Sequence, residues 1–252
     1  MSVKLDELAH YLDDYLRVAE VPDAGNALNG LQVENGGSVL RVLAAVDACQ
    51  ATIDAAAAEP QTLLLVHHGL FWSGLEPIRG RHGRRVRALI HGDVALYAAH
   101  LPLDVHPVVG NNAVLAARLG IAEREPFGEY QGIAVGVAGR LDVGREDLVE
   151  RVRNTLGVEP FVIPAGPERV ERVGVVTGGG GSMIGQASGA GLDAFITGEG
   201  AHHTFFDAEE WGVNVIYAGH YATETVGVQA LGAHLEERFG LPWAFFDHPT
   251  GL

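Results

Sequence analysis

Cysteine is almost missing from this chain: Cys49 stands alone among 252 residues, which excludes an internal disulfide framework and any thiolate metal cluster within one chain. A bound metal ion must therefore be held by nitrogen and oxygen. Basic residues are scarce as well. Lys and Arg number 17 against 32 Asp and Glu, a formal charge of −15 that repels a polyanion over most of the surface and argues against nucleic acid as a partner. Long apolar runs are also absent. No stretch approaches the roughly 20 residues that cross a bilayer, and Met1-Ser2-Val3-Lys4-Leu5-Asp6-Glu7 has no basic segment followed by an apolar one. The expectation is a cytoplasmic protein without a membrane partner. Aromatic residues make up only 7%, but hydrophobic residues reach 47% and charged ones 19%, which suits one large globular domain or two small ones.

What the chain does have is a histidine pair in an unusual place. Leu63-Leu64-Leu65-Val66-His67-His68-Gly69-Leu70-Phe71-Trp72 puts two imidazoles at the end of an unbroken apolar run. Such a run reads as a short strand buried on both faces, and strands of this kind deliver polar side chains to the crevice at their carboxyl ends. Neighbouring strand residues point to opposite faces, so both histidines serve one site only where the backbone turns, which Gly69 permits. A lone pair of this kind reads first as hydrogen-bonded core histidines. The remainder of the chain shifts that reading.

Leu5, Leu8, Leu12, Tyr15 and Leu16 recur at helical spacing and open the fold with an amphipathic helix. Leu40 to Val46 is a β-type run ending at Asp47, Gln50 to Glu59 is an alanine-rich helix, and the histidine strand follows. A further helix over roughly Val86 to His91 leads to the run Val94 to Ala99 and then His100. Strand and helix alternate, as in a largely parallel α/β sheet. The second half repeats the plan. Arg172 to Thr177 answers Arg41 to Asp47, Ser182 to Gly191 is a small-residue helix, Ala194 to Thr197 is a strand, and Glu199 with His202 and His203 stands where His67 and His68 stand. A short helix, Asp207 to Trp211, and the run Val213 to Gly219 lead to His220. The fold class expected is a duplicated α/β unit with mixed and parallel sheets flanked by helices, its repeats at 1–125 and 126–252 packed around one cleft.

Each repeat then offers a histidine and a carboxylate four residues apart: His100-Leu101-Pro102-Leu103-Asp104 and His220-Tyr221-Ala222-Thr223-Glu224. On a helix that spacing puts both side chains on one face, where they can grip one cation. Pro102 disfavours a helical Leu101 and makes the first copy less regular. One His-x-x-x-acid alone is an ordinary surface ion pair. Two at equivalent places, each preceded by paired histidines, make a ligand set of His67, His68, Asp104, His220 and Glu224. Imidazole and carboxylate without sulfur suit Zn, Fe, Mn, Ni or Co. Five ligands with a bridging carboxylate fit two divalent ions about 3.5–4 Å apart, a pair that makes water a nucleophile near neutral pH. Hydrolysis is the chemistry expected, with His100 and Glu199 as catalytic proton carriers outside the metal shell.

The segments His67 to Trp72, Leu96 to Pro107 with Gly110-Asn111-Asn112, Asp193 to Glu199 and Ala218 to Glu224 together resemble the NIF-three-like family of dinuclear metal-centre proteins. Members are often labelled GTP cyclohydrolase I type 2 homologues, and the likeness is to the short YbgI-type branch. It runs from Asn29-Gly30-Leu31-Gln32-Val33 to Asp247-His248-Pro249. The resemblance implies two metal ions at the same five ligands, a duplicated α/β fold, and a homo-oligomer in the form of a toroidal hexamer with its metal sites facing a central cavity. It implies a metal-dependent hydrolase acting on a nucleotide or related heterocycle, GTP cyclohydrolase-like by its label. Two alternatives stay open: a non-catalytic metal-binding or metal-delivery protein, and a ring-shaped scaffold.

Some features lie outside this pattern. His202 and His203 are not part of the short branch's signature. Gly178-Gly179-Gly180-Gly181-Ser182 lacks the Gly-Lys-Ser/Thr of a nucleotide P-loop and reads as a tight turn. Arg79, Arg81, Arg84, Arg85 and Arg87 cluster with His82 just after the histidine strand. They read as a solvated loop entering a helix near Arg84, or as a contact for a phosphate-bearing small-molecule substrate.

Overall fold

The leucines spaced as a helix face form one in the computed structural model, which describes residues 2–72, 74 and 76–252. β1 (Val3–Lys4) is followed by α1 (Leu5–Tyr15), which buries Leu5, Leu8 and Leu12. β2 (Gly30–Val33) and β3 (Ser38–Val39) come next, with β1 and β3 paired antiparallel. Strand and helix then alternate through β4 (Arg41–Asp47), α2 (Gln50–Ala57), β5 (Thr62–His68), α3 (Gly80–His91) and β6 (Val94–Ala98), and the single turn α4 (Leu101–Asp104) ends this stretch. β4, β5 and β6 are parallel neighbours. Their apolar runs are unbroken because both sheet faces are covered. Val42, Ala44, Leu63 and Leu65 pack with the α1 leucines, whereas Leu43, Ala45, Leu64 and Val66 pack with Ile53 of α2 and Leu89 of α3.

Two local expectations are corrected here. α3 starts at Gly80, a turn before Arg84 and well before Val86, because its buried stripe is Gly83, Val86 and Leu89. Gly83 carries no hydrophobic signal, so the first turn was invisible to periodicity. Pro102 does not break the turn after His100, since it sits in the first turn of α4, where its missing N–H has no intrahelical acceptor to lose. Gly69 is required by crowding: a Cβ there would lie 2.3 Å from Gln32 Nε2 and 2.7 Å from Ala98 Cβ.

The chain continues through α5 (Asn111–Leu119), β7 (Ala122–Tyr130), β8 (Ile133–Gly144), α6 (Arg145–Leu156), β9 (Phe161–Pro164) and β10 (Arg169–Val176). The stretch expected as one small-residue helix is a 3-10 turn, Gly180–Met183, running into α7 (Ile184–Gly189). β11 (Ala194–Thr197), α8 (Thr204–Trp211), β12 (Asn214–Tyr217), α9 (His220–Phe239) and β13 (Trp243–Phe245) complete the order. One sheet has the order β7-β8-β10-β11-β12-β9 and another β13-β4-β5-β6-β2. In the first, β10, β11 and β12 are parallel and the other pairings antiparallel. Both sheets thus hold three parallel strands in chain order, each triplet followed by a histidine, His100 or His220.

The compact units are Met1–Val109 with Gly227–His248, and Gly110–Val226 with Pro249–Leu252. They are offset from the sequence repeats 1–125 and 126–252. α9 begins in the second unit and belongs to the first from Gly227 on, where Val228, Leu231 and Leu235 join the core that holds the α1 leucines. The fold is mixed α/β, with parallel and antiparallel sheets flanked by helices. Among the described residues, no helix is long and apolar enough to cross a membrane.

Candidate metal centre

In the first unit the carboxyl ends of three adjacent strands bring histidines and aspartates together. β5 ends on His67 and His68, and Asp47, the last residue of β4, lies opposite His68 in the parallel register. His68 Nδ1 is 2.9 Å from Asp47 Oδ1. His67 is fully buried, and its Nδ1 donates to the Ala99 carbonyl at 2.9 Å. A carbonyl only accepts, so Nδ1 carries the proton and Nε2 the lone pair. His100, just beyond β6, is held in the same manner, with Nδ1 at 2.7 Å from Asp23 Oδ1. Asp23 also accepts from Asn29 Nδ2 at 2.8 Å and from the Leu101 N–H at 3.1 Å. Burial pushes the Asp23 carboxyl up, but the hydrogen bond and charge of His100, with Asn29 and the Ala24 N–H, hold it below the usual carboxylate range. Asp23 is therefore an ionised anchor for the imidazole.

His67, His68 and His100 each offer a ring nitrogen, and the three nitrogens lie within 4.8 Å of one another. Asp104 is buried at the end of α4, its Oδ2 3.6 Å from His67 Nε2. Trp72 closes one side, its ring centroid 4.6 Å from that of His100 and 5.8 Å from that of His68. Imidazole nitrogens grouped with a buried carboxylate form a donor set that a divalent cation suits.

The second unit carries its own pair. His220 opens α9 and Glu224 lies one turn on, with His220 Nε2 3.1 Å from Glu224 Oε1 and His220 Nδ1 2.9 Å from Glu199 Oε1. Glu224 is only 3% exposed. Loops stitched by Thr223 fix this geometry: its Oγ1 accepts from the Gly178 N–H at 3.0 Å and donates to the carbonyl of Gly219 or His220. The Gly178 carbonyl accepts from the N–H groups of Gly198 and Glu199 at 2.9 and 3.1 Å. Gly178 has φ +68°, and a Cβ there would fall 2.2 Å from Glu224 Oε1. The glycine run thus forms a tight turn whose first residue makes room for a buried carboxylate.

The hydrogen bond and charge of Glu224, joined by Glu199 and opposed by burial, push His220 up to about 9. A raised histidine stabilises the folded state fully below its ordinary value of about 6.5, and that contribution is lost as pH rises through about 9. A metal ion bound at His220 would have to displace the same proton, so its affinity would rise across that interval. In metal-stripped protein, the melting temperature is expected to fall more between pH 7 and pH 10 for the natural chain than for His220→Gln. Parallel pH profiles would remove the charged pair from the account.

The sequence reading did not assign roles to Asp23 and Asp47, which fix the rings of His100 and His68. Asp47 carried a signal, as an acid ending a strand that precedes the histidine strand. Asp23 carried none, being one polar turn residue among several. Glu199 lies beside His220 Nδ1, and His100 lies in the histidine cluster of the first unit. His202 and His203 are exposed ahead of α8, His202 resting against the Phe206 ring at 5.8 Å between centroids.

Comparison with known proteins gives a consistent picture. The model of the Duf34/NIF3 (NGG1p interacting factor 3) family matches residues 3–250. A Deinococcus radiodurans protein named GTP cyclohydrolase 1 type 2 homolog is 47% identical over 249 residues, covering 98% of this chain and 94% of the relative. A protein of the same name from Archaeoglobus fulgidus is 42% identical over 250 residues, covering 99% of this chain and 100% of the relative. Among solved structures, a Thermus thermophilus protein superposes with a TM-score of 0.90 at 46% identity, covering 99% of this chain and 100% of that one. The protein ybgI superposes with a TM-score of 0.89 at 39% identity over the same shares. With strand-end histidines, the His-x-x-x-acid turns and near full-length likeness in both sequence and fold, this chain belongs to the Duf34/NIF3 family.

Proposed function

We propose that this chain is a dinuclear metal-binding protein that acts as a metal-dependent hydrolase on a nucleotide or related heterocycle. Its ligands are His67, His68, Asp104, His220 and Glu224, and its cofactors are two divalent ions from the set Zn, Fe, Mn, Ni and Co. One observation carries the reading. His67, His68, His100 and His220 all have Nδ1 bonded to a carboxylate or a carbonyl, the arrangement that fixes the tautomer of metal-ligating histidines and raises their basicity. Further support comes from the two buried carboxylates, Asp104 and Glu224, each standing near the Nε2 of a histidine.

When bound, such ions supply Lewis acidity and bring the acidity of water near neutral pH. The chain's own residues do the rest. Asp47 and Glu199 orient His68 and His220, and Asp23 orients His100. His100 and Glu199, outside the ligand set, carry protons to and from the substrate. The substrate class follows the name shared by the relatives, GTP cyclohydrolase 1 type 2 homolog. A homo-oligomer, a toroidal hexamer by resemblance, working in the cytoplasm belongs to the same reading.

The test is the metal content of protein purified without added metal, coupled to a panel of nucleotides and pterins screened for hydrolysis. About two ions per chain together with turnover is the expected result. Two ions without turnover would turn the reading toward metal delivery or a ring-shaped scaffold, and a chain that binds no metal would end it.

A further inference from the structure

The arginine cluster has a shape that the proposed metal chemistry leaves unused. Arg79 is the extended N-cap of α3. With Arg81, His82 and Arg85 from the first two turns, and with Trp72 and Glu76, it lines a cleft of about 470 Å³. Arg79 and Arg81 stand at the exposed rim, while His82 and Arg85 are partly buried. That volume suits a small-molecule group.

Three observations show a cleft built for negative charge. Five arginines elsewhere on this chain pair with acids: Arg17 with Glu20, Arg41 with Glu59, Arg153 with Glu150 and Glu159, Arg169 with Asp142, Arg172 with Glu125. Among the described residues, Arg79, Arg81 and Arg85 have no such ion pair, although the chain carries −15 overall. Glu76 lines the cleft but, among the described residues, pairs with none of them. Second, Arg85 Nε and His82 Nε2 are shut off from solvent and, among the described residues, have no hydrogen-bond partner. An enclosed donor left unmet costs about 1–3 kcal/mol, which a bound acceptor recovers. Third, α3 has no acidic residue in its first turn. Arginines there oppose the helix dipole, and an anion resolves both that conflict and the unmet N–H groups of the turn.

The cleft also adjoins the histidines. Gly69 and Trp72 line it, Gly69 follows His68 directly, and the Trp72 ring lies against His100 and His68. We propose that this cleft binds the phosphate group of a small molecule whose other end reaches the histidine cluster. The phosphate site stands on its own residues, and the assignment of its occupant as substrate rests on the hydrolase reading. Guanidinium forks match phosphate oxygens in pairs, and three arginines with a histidine favour a multiply charged group over a single carboxylate. A nucleic-acid strand, by contrast, would meet a chain whose net charge is −15.

Calorimetric titration with inorganic pyrophosphate, a nucleoside monophosphate and its nucleoside tests this, with protein as purified and after chelation, and with metal content measured in each sample. Pyrophosphate and the nucleotide are expected to bind the chelated protein, and the nucleoside is not. Arg79→Gln/Arg85→Gln is expected to weaken pyrophosphate at least about 10-fold. Arg84→Gln/Arg87→Gln, the same change of charge on exposed positions outside the cleft, is expected to change it less than about 2-fold. Loss of binding on chelation, or equal weakening in both double variants, would overturn the site. Binding of pyrophosphate without the nucleotide would make it a site for inorganic phosphate, and tighter binding of a single-stranded oligonucleotide would make the occupant a polymer. Either result overturns the assignment of a small molecule whose other end reaches the histidines. Protein that holds no metal as purified, and still binds pyrophosphate through Arg79 and Arg85, would retain the cleft while ending the hydrolase reading.

Discussion

Glu224→Gln is expected to lower metal affinity by more than about 100-fold while leaving the fold in place. The size of the loss follows from chemistry: a carboxylate that would carry formal charge to a divalent ion becomes a neutral amide of the same shape. The survival of the fold follows from what Glu224 does without metal. It is buried against His220, and removing one partner of a buried pair usually leaves an uncompensated charge. Here the remaining partner can shed its charge, because Glu224 is the main reason His220 is pushed up to about 9. With glutamine present, imidazole at neutral pH is free to lose its proton and accept from the amide. Glu199→Gln provides the scale. Glu199 touches only Nδ1, so its replacement disturbs orientation and is expected to cost about 10–100-fold. Affinities come from competition with a chromophoric chelator, and folding from circular dichroism melts. Glu224→Gln binding metal as tightly as the natural chain, or more tightly than Glu199→Gln, would remove Glu224 from the ligand set.

The contrast between those two glutamates reflects what a sequence can carry. Glu224 was legible because its relation to His220 is local, one helical turn within α9. The buried strand β5 was legible for a similar reason: burial on both faces writes itself as consecutive apolar residues, and the histidines ending the run stand out. Asp23 was not legible, since its bond to His100 joins positions 77 apart in sequence and depends on how a turn returns to the sheet. The hairpin of β7 and β8 was also missed, though for another reason. β7 is exposed over most of its length, so it shows no alternation. The signal was in the turn, where Gln131 and Gly132 both have positive φ, as two-residue hairpin loops of type I′ require. The start of α3 was hidden in the same way, its buried stripe beginning at a glycine.

Gly178→Ala is expected to cost metal affinity although it replaces none of the proposed ligands. Two penalties act together. The backbone at Gly178 has φ +68°, which a residue with a Cβ adopts at about 1–2 kcal/mol. The added methyl would also stand 2.2 Å from Glu224 Oε1 and 3.3 Å from His220 Nε2, closer than atoms approach, so the carboxylate has to rotate away. The backbone yields less readily, because Gly178 is tied through its N–H to Thr223 and through its carbonyl to Gly198 and Glu199. A displaced carboxylate is expected to weaken metal about 10–100-fold, as loss of a ligand's orienting partner does, with the melting transition lowered as well. The neighbouring glycine separates this from a general intolerance of the loop. Gly179 has φ −87°, and a Cβ there would meet nothing nearer than 3.9 Å, so Gly179→Ala is expected to bind metal and melt like the natural chain. Equal affinity in Gly178→Ala and Gly179→Ala would mean that the position of Glu224 does not matter to the ion. A loss confined to Gly178→Ala would show that the site is specified by the space kept for a ligand as much as by the ligand itself.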